Sequence, residues 1–60
     1  MKTVIYKTPL GFCSTTDENY NAMIQDERKI QKWDGFESAE EIIEYAIKYL
    51  NKCREDFIVR

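Results

Sequence analysis

Sixty residues with a net charge of −2, 43% of them hydrophobic and 33% charged, describe one small folded domain over residues 1–60, not a disordered tail. Its core buries only about 60% of the surface that the unfolded chain exposes. The balance is too small to imply a strongly basic or acidic partner. No run approaches the roughly 18 apolar residues of a membrane span, and the start, MKTVIYKTPLGF, lacks the apolar stretch of a secretory signal. No membrane association is expected, and the expected compartment is the cytoplasm.

Thr3 to Thr8 is rich in β-branched and aromatic residues, which suit a strand. Thr8-Pro9-Leu10-Gly11 has proline and glycine where a type I turn takes them, and Phe12 to Thr15 reads as the return strand of a hairpin. The alternative is a single strand followed by irregular chain.

From Thr15 a second helix is expected, with Thr15 and Glu18 as a cap-like pair and Asp17 where the helix dipole favours negative charge. DENYNAMIQDERKIQKW contains no glycine or proline, and Tyr20, Met23, Ile24, Ile30 and Trp33 make a thin apolar stripe. Glu27 falls where an apolar residue is due. Two readings therefore stand: one helix through to Trp33, or a short helix followed by a strand over Lys29 to Trp33. Asp34-Gly35 closes the segment, and Phe36 is expected to fold onto the next helix near Ile42.

The main helix is expected over Ser38 to Cys53, ending around Asn51 to Arg54. Ser38 and Glu41 match a capping box, and Ala39, Ile42, Ile43, Ala46, Ile47, Leu50 and Cys53 recur at helical spacing. Asp56 to Arg60 reads as a final strand pairing with the first. The expected architecture is α+β: a small two-layer domain with a two- or three-stranded antiparallel sheet, made of the N-terminal hairpin plus the C-terminal strand. Two helices cover one face of it.

Chemistry is sparse. Without histidine no Ser–His or Cys–His pair can form, and the two glycines stand alone at 11 and 35, so no phosphate loop exists. Cys13 and Cys53 match no zinc-ligand spacing and are expected as free thiols, with one internal disulfide as the alternative. Paired carboxylates need a pocket that separates their pKa values, which a chain of this size rarely encloses. Enzymatic activity, metals and cofactors are not expected.

Binding is the default. On a helical wheel the main helix's stripe runs from Ile42 through Ala46, Ala39 and Leu50 to Ile47. Tyr45 and Tyr49 widen it to roughly 200°, against the ≳100° usual for a surface helix. Either the second helix packs along that tyrosine edge or a partner does. Trp33, beside charged residues, is a further contact candidate, as interfaces enrich tryptophan and tyrosine. The acidic run Asp34, Glu37, Glu40, Glu41 and Glu44 could face a basic groove. It also matches the helix dipole, with Lys48, Lys52 and Arg54 at the far end and Glu44–Lys48 as an i,i+4 pair. Arg28, Lys29 and Lys32 beside Trp33 are too few, and too close to Asp26 and Glu27, to make nucleic acid an expected partner.

The partner-binding candidates are thus Tyr45, Tyr49, Trp33, Glu40 and Glu44, and the expected partner is a larger protein or protein complex. These traits fit a small inhibitor or regulator, as phages and mobile elements direct against host defence, anti-CRISPR and anti-restriction proteins among them. That attribution follows from size alone. A structural homodimer or adaptor, or a small nucleic-acid-binding regulator, is the alternative.

Overall fold

Proline's fixed φ at Pro9 and a left-handed Gly11 (φ 122°) turn the chain back on itself in the computed structural model, which describes residues 2–60. Thr3–Thr8 (β1) and Gly11–Thr16 (β2) form the hairpin, in register from Thr8↔Gly11 to Thr3↔Thr16. The Thr8 hydroxyl fastens the turn, donating to the Gly11 carbonyl at 2.9 Å and accepting from the Leu10 N–H at 3.2 Å.

The chain then forms a single helical turn, Asp17–Tyr20 (α1). Its cap is Thr16, whose hydroxyl accepts from the Asn19 N–H at 3.1 Å; Thr15 is instead buried within β2. The single long helix expected up to Trp33 does not form. Asn21 turns its side-chain amide back to the Asp17 carbonyl (3.0 Å) and carboxylate (2.9 Å), and the Asn19 side chain bonds both backbone groups of Asp26. Such side-chain bonds to nearby backbone offer the chain an alternative to continuing a helix. A 3-10 turn, Glu27–Lys29, follows, and then a short strand, Gln31–Trp33 (β3), antiparallel to β2. The second reading of this segment, a short helix and then a strand, is the observed one, with the strand starting at Gln31 because Lys29 belongs to the 3-10 turn. Met23 and Ile24, assigned to a helical stripe, point into solvent.

Gly35 takes a left-handed φ of 84°, and Ser38 caps Ala39–Tyr49 (α2), accepting from the Glu41 N–H at 3.3 Å. The Glu41 carboxylate reaches the N–H of Glu37 (3.1 Å), one residue before the cap. α2 is shorter than expected. Asn51 adopts a left-handed φ of 57°, and the Leu50 and Lys52 N–H groups both return to the Ala46 carbonyl. Asparagine tolerates this conformation better than most residues, so it can end a helix where glycine is absent. A 3-10 turn, Arg54–Asp56, leads into Phe57–Val59 (β4).

The sheet is four-stranded and mixed, in the order β3-β2-β1-β4, with β4 parallel to β1. It has more strands than the expected two or three, and one pair is not antiparallel. α2 carries the chain from the β3 edge to the opposite edge, a crossover that a parallel pair requires.

Strand alternation explains the layers. Ile5, Phe12, Trp33 and Phe57 share one face by register, and Ile42 and Ile43 of α2 pack onto Ile5 with those rings, Phe36 and Ala39 around them. Val4, Tyr6, Cys13 and Thr15 point the other way, where the Tyr20 ring meets that of Tyr6 at 5.2 Å and Asn19 bonds Thr15. The two helices thus cover opposite faces, not one. α1 follows β2 without a linker and has no length to reach α2. Ile47 and Leu50, read as core, are 41% and 44% exposed. Cys13 is buried and Cys53 exposed, both as free thiols. Among the described residues no helix is long and apolar enough to cross a membrane.

Candidate functional site

The most developed surface feature begins at the β3 edge. Trp33 lies on the α2 face of β3, and its indole N–H donates to Ser14 Oγ on the neighbouring strand at 2.8 Å. That bond fixes the ring's plane. The turn through Gly35 brings Phe36 edge-on against Trp33, with ring centroids 5.6 Å apart. Tyr45 meets Trp33 at 6.1 Å and Phe36 at 5.6 Å, both near perpendicular, and Tyr49, one turn further along α2, lies 4.9 Å from Tyr45. Edge-to-face arrangements at these separations are the favoured ones for aromatic pairs. The result is a continuous row of rings from the sheet edge to the end of α2.

Exposure rises along the row. Trp33 and Phe36 are half-buried, whereas Tyr45 is 41% and Tyr49 62% exposed. Trp33 and Phe36 belong partly to the fold, because they close the core cluster at its margin. Tyr49 contributes little to it. Beside the row opens a cleft of about 330 Å³ lined by Trp33, Asp34, Phe36, Tyr45 and Leu50 among others.

Of the candidate residues, Trp33, Tyr45 and Tyr49 are brought together. Glu40 and Glu44 are not, for at about 100° per residue they sit on a different flank of α2 from the tyrosines. Glu40 is engaged in an ion pair with Arg54. Glu44 does not form the expected pair with Lys48, whose ammonium lies over the Tyr49 ring at 5.2 Å. The acids nearest the rings are Asp34, in the cleft wall, and Glu41, one helical turn before Tyr45. From the sequence Phe36 reads as core, and Asp34 as part of the segment's close and of the acidic run. The signal was their nearness to Trp33, Asp34 as its neighbour in the chain and Phe36 across the Gly35 turn.

The basic cluster is not a patch. Arg28 is paired with Asp26 at 3.1 Å, and Lys32 and Trp33, adjacent on a strand, point to opposite faces. Among the described residues two groups titrate away from their ordinary values. The Arg28 side chain and N–H hydrogen-bond the Asp26 carboxyl and lower it. Burial raises the Tyr6 phenol, with smaller contributions from Cys13 and Tyr20.

No protein-family model, curated protein or solved structure matches the chain.

Proposed function

We propose that this chain is a non-enzymatic protein-binding module that inhibits or regulates a larger protein or protein complex through the Trp33–Phe36–Tyr45–Tyr49 row. The observation that supports this reading is the row's graded exposure: rings anchored in the fold at one end and open to solvent at the other. Anchored aromatic rings bring large contact area with little rotamer entropy to lose, which is why tyrosine and tryptophan dominate interface hot spots. Leu50 and the neighbouring cleft add apolar surface, and Asp34 and Glu41 favour a partner with basic groups at the rim.

Tyr49 is the clean probe, because removing it leaves the core contacts in place. Wild-type chain and Tyr49→Ala are immobilised and exposed to the same native lysate, and bound proteins are quantified by mass spectrometry. The expected result is a protein retained by wild type and lost from the variant. Hot-spot truncations cost about 2 kcal/mol or more, roughly thirtyfold in affinity. Equal recovery of every protein would remove the aromatic row from the proposal.

Ile47, Leu50 and Val59, at 41%, 44% and 54% exposure, favour a second reading, a homodimer that buries them. A single 7.2 kDa species in sedimentation at micromolar concentration would exclude it.

A further inference from the structure

On the opposite side of the sheet, the segment between α1 and β3 turns two large apolar side chains fully outward: Met23 is 102% exposed and Ile24 89%. In so small a chain such residues are the natural material for a core, and here they contribute nothing to it. The segment is nonetheless held firmly. Asn19 is 6% exposed, and its Nδ2 donates to Thr15 Oγ1 at 2.8 Å and to the Asp26 carbonyl at 3.1 Å. Its Oδ1 accepts from the Asp26 N–H at 2.8 Å. One buried side chain thus closes the loop by gripping its far end. Inside the loop, the Gln25 amide donates to the Tyr20 carbonyl at 3.2 Å.

A loop with both ends fixed and an apolar tip has met its ordering cost before any partner arrives, the condition under which exposed side chains convert most fully into affinity. We infer that the Met23–Ile24 tip is a second recognition element, a pre-ordered knob that inserts into an apolar pocket on a partner protein. It stands apart from the aromatic row, being carried by the other face of the sheet. Two side chains suit a pocket and are too few to hold a membrane surface. Arg28 is paired with Asp26, and Asp17, Glu18 and Glu27 outnumber Lys29, which lines the same groove as Ile24; the local charge of −2 would repel anionic headgroups and favour a pocket rimmed by arginine or lysine.

The photoreactive residue p-benzoylphenylalanine, placed at position 23 or separately at position 45 and irradiated in cells, reads the two surfaces independently. The expected result is a discrete protein adduct from position 23. With that protein purified, Met23→Ser/Ile24→Ser should bind at least about a hundredfold more weakly, since full burial of each of the two side chains is worth about one to two powers of ten. Its thermal midpoint should be unchanged. Affinity within about twofold of wild type, adducts only to the chain itself, no discrete adduct at all, or flotation of the chain with phosphatidylglycerol vesicles would each overturn the inference. An adduct from position 45 alone would do so too while leaving the aromatic row standing. The loop can also be tested in the isolated protein: amide order parameters at Met23 and Ile24 should match the strands, at about 0.85, and values below about 0.6 would refute a pre-ordered knob.

Discussion

Replacing Asn19 by aspartate alters the hydrogen-bonding pattern of one side-chain atom and almost nothing of the side chain's shape. The orientation of the native amide is fixed by its neighbours, because the Asp26 N–H can only donate and the Asp26 carbonyl can only accept. In Asn19→Asp one carboxylate oxygen can still receive the Asp26 N–H. The other must face the Asp26 carbonyl and a Thr15 hydroxyl whose proton is committed to the Lys29 carbonyl at 3.0 Å. Two hydrogen bonds are lost, at about 0.5–1.5 kcal/mol each, so the variant should be about 1–3 kcal/mol less stable before charge repulsion is counted. Against a total of roughly 3–9 kcal/mol for a domain of this length, that is a large share. The neutral carboxyl regains a donor, so the folded-state pKa is raised above its unfolded value of about 3.9. The deficit should therefore be smallest below that value and grow as pH rises through the folded pKa. Urea titrations of wild type and variant, run side by side at about pH 7 and about pH 3.5, measure it. Equal midpoints at neutral pH, or a gap that fails to narrow on acidification, would refute the account of this network.

Trp33→Phe keeps a ring in the aromatic row but removes the donor to Ser14 Oγ, which is on a residue only 5% exposed; the urea midpoint should fall by an amount equivalent to about 0.5–1.5 kcal/mol. Carbon-detected NMR should find the Asp26 carboxyl titrating below the ordinary carboxylate range, and Arg28→Ala should bring it back up. Because that folded-state pKa is lowered, the stability it contributes is present above the unfolded value and lost as pH falls through the folded one.

The main helix was legible because its signals agree: a serine cap, apolar residues at three and four, and acids in the first turn. The segment after β2 was not, because periodicity and local chemistry conflict there. A stripe through Tyr20, Met23, Ile24 and Ile30 suggested a helix, while Asn19, Asn21 and Asp26 are residues whose side chains compete for nearby backbone, and the competition won. Glu27 was the visible warning. The last strand was foreseeable from its composition, but its place beside the first and its direction depend on where α2 delivers the chain. At the candidate site, the wheel that singled out Tyr45 and Tyr49 also separates them from Glu40 and Glu44. Grouping all of them by charge and sequence proximity overrode that angle. Trp33 joined the tyrosines only through a β3 pairing that no periodicity announces.

That pairing links the two recognition surfaces. β3 has three residues, and an edge strand of that length has little of its own to keep it in register. It is held from both sides of the sheet. On the α2 face the Trp33 indole is bonded to Ser14; on the other, the Thr15 hydroxyl holds the Lys29 carbonyl just before the strand, and Asn19 holds Thr15 and Asp26. Among the described residues Ser14, Thr15 and Asn19 are all buried beside only six buried hydrophobic residues, and no buried side-chain polar atom lacks a partner. A fully satisfied polar network adds less stability than an apolar core of the same volume, but it admits fewer alternative packings. In a domain too small for a large core, these three residues fix where β3 lies, and with it the aromatic row on one face and the Met23–Ile24 loop on the other.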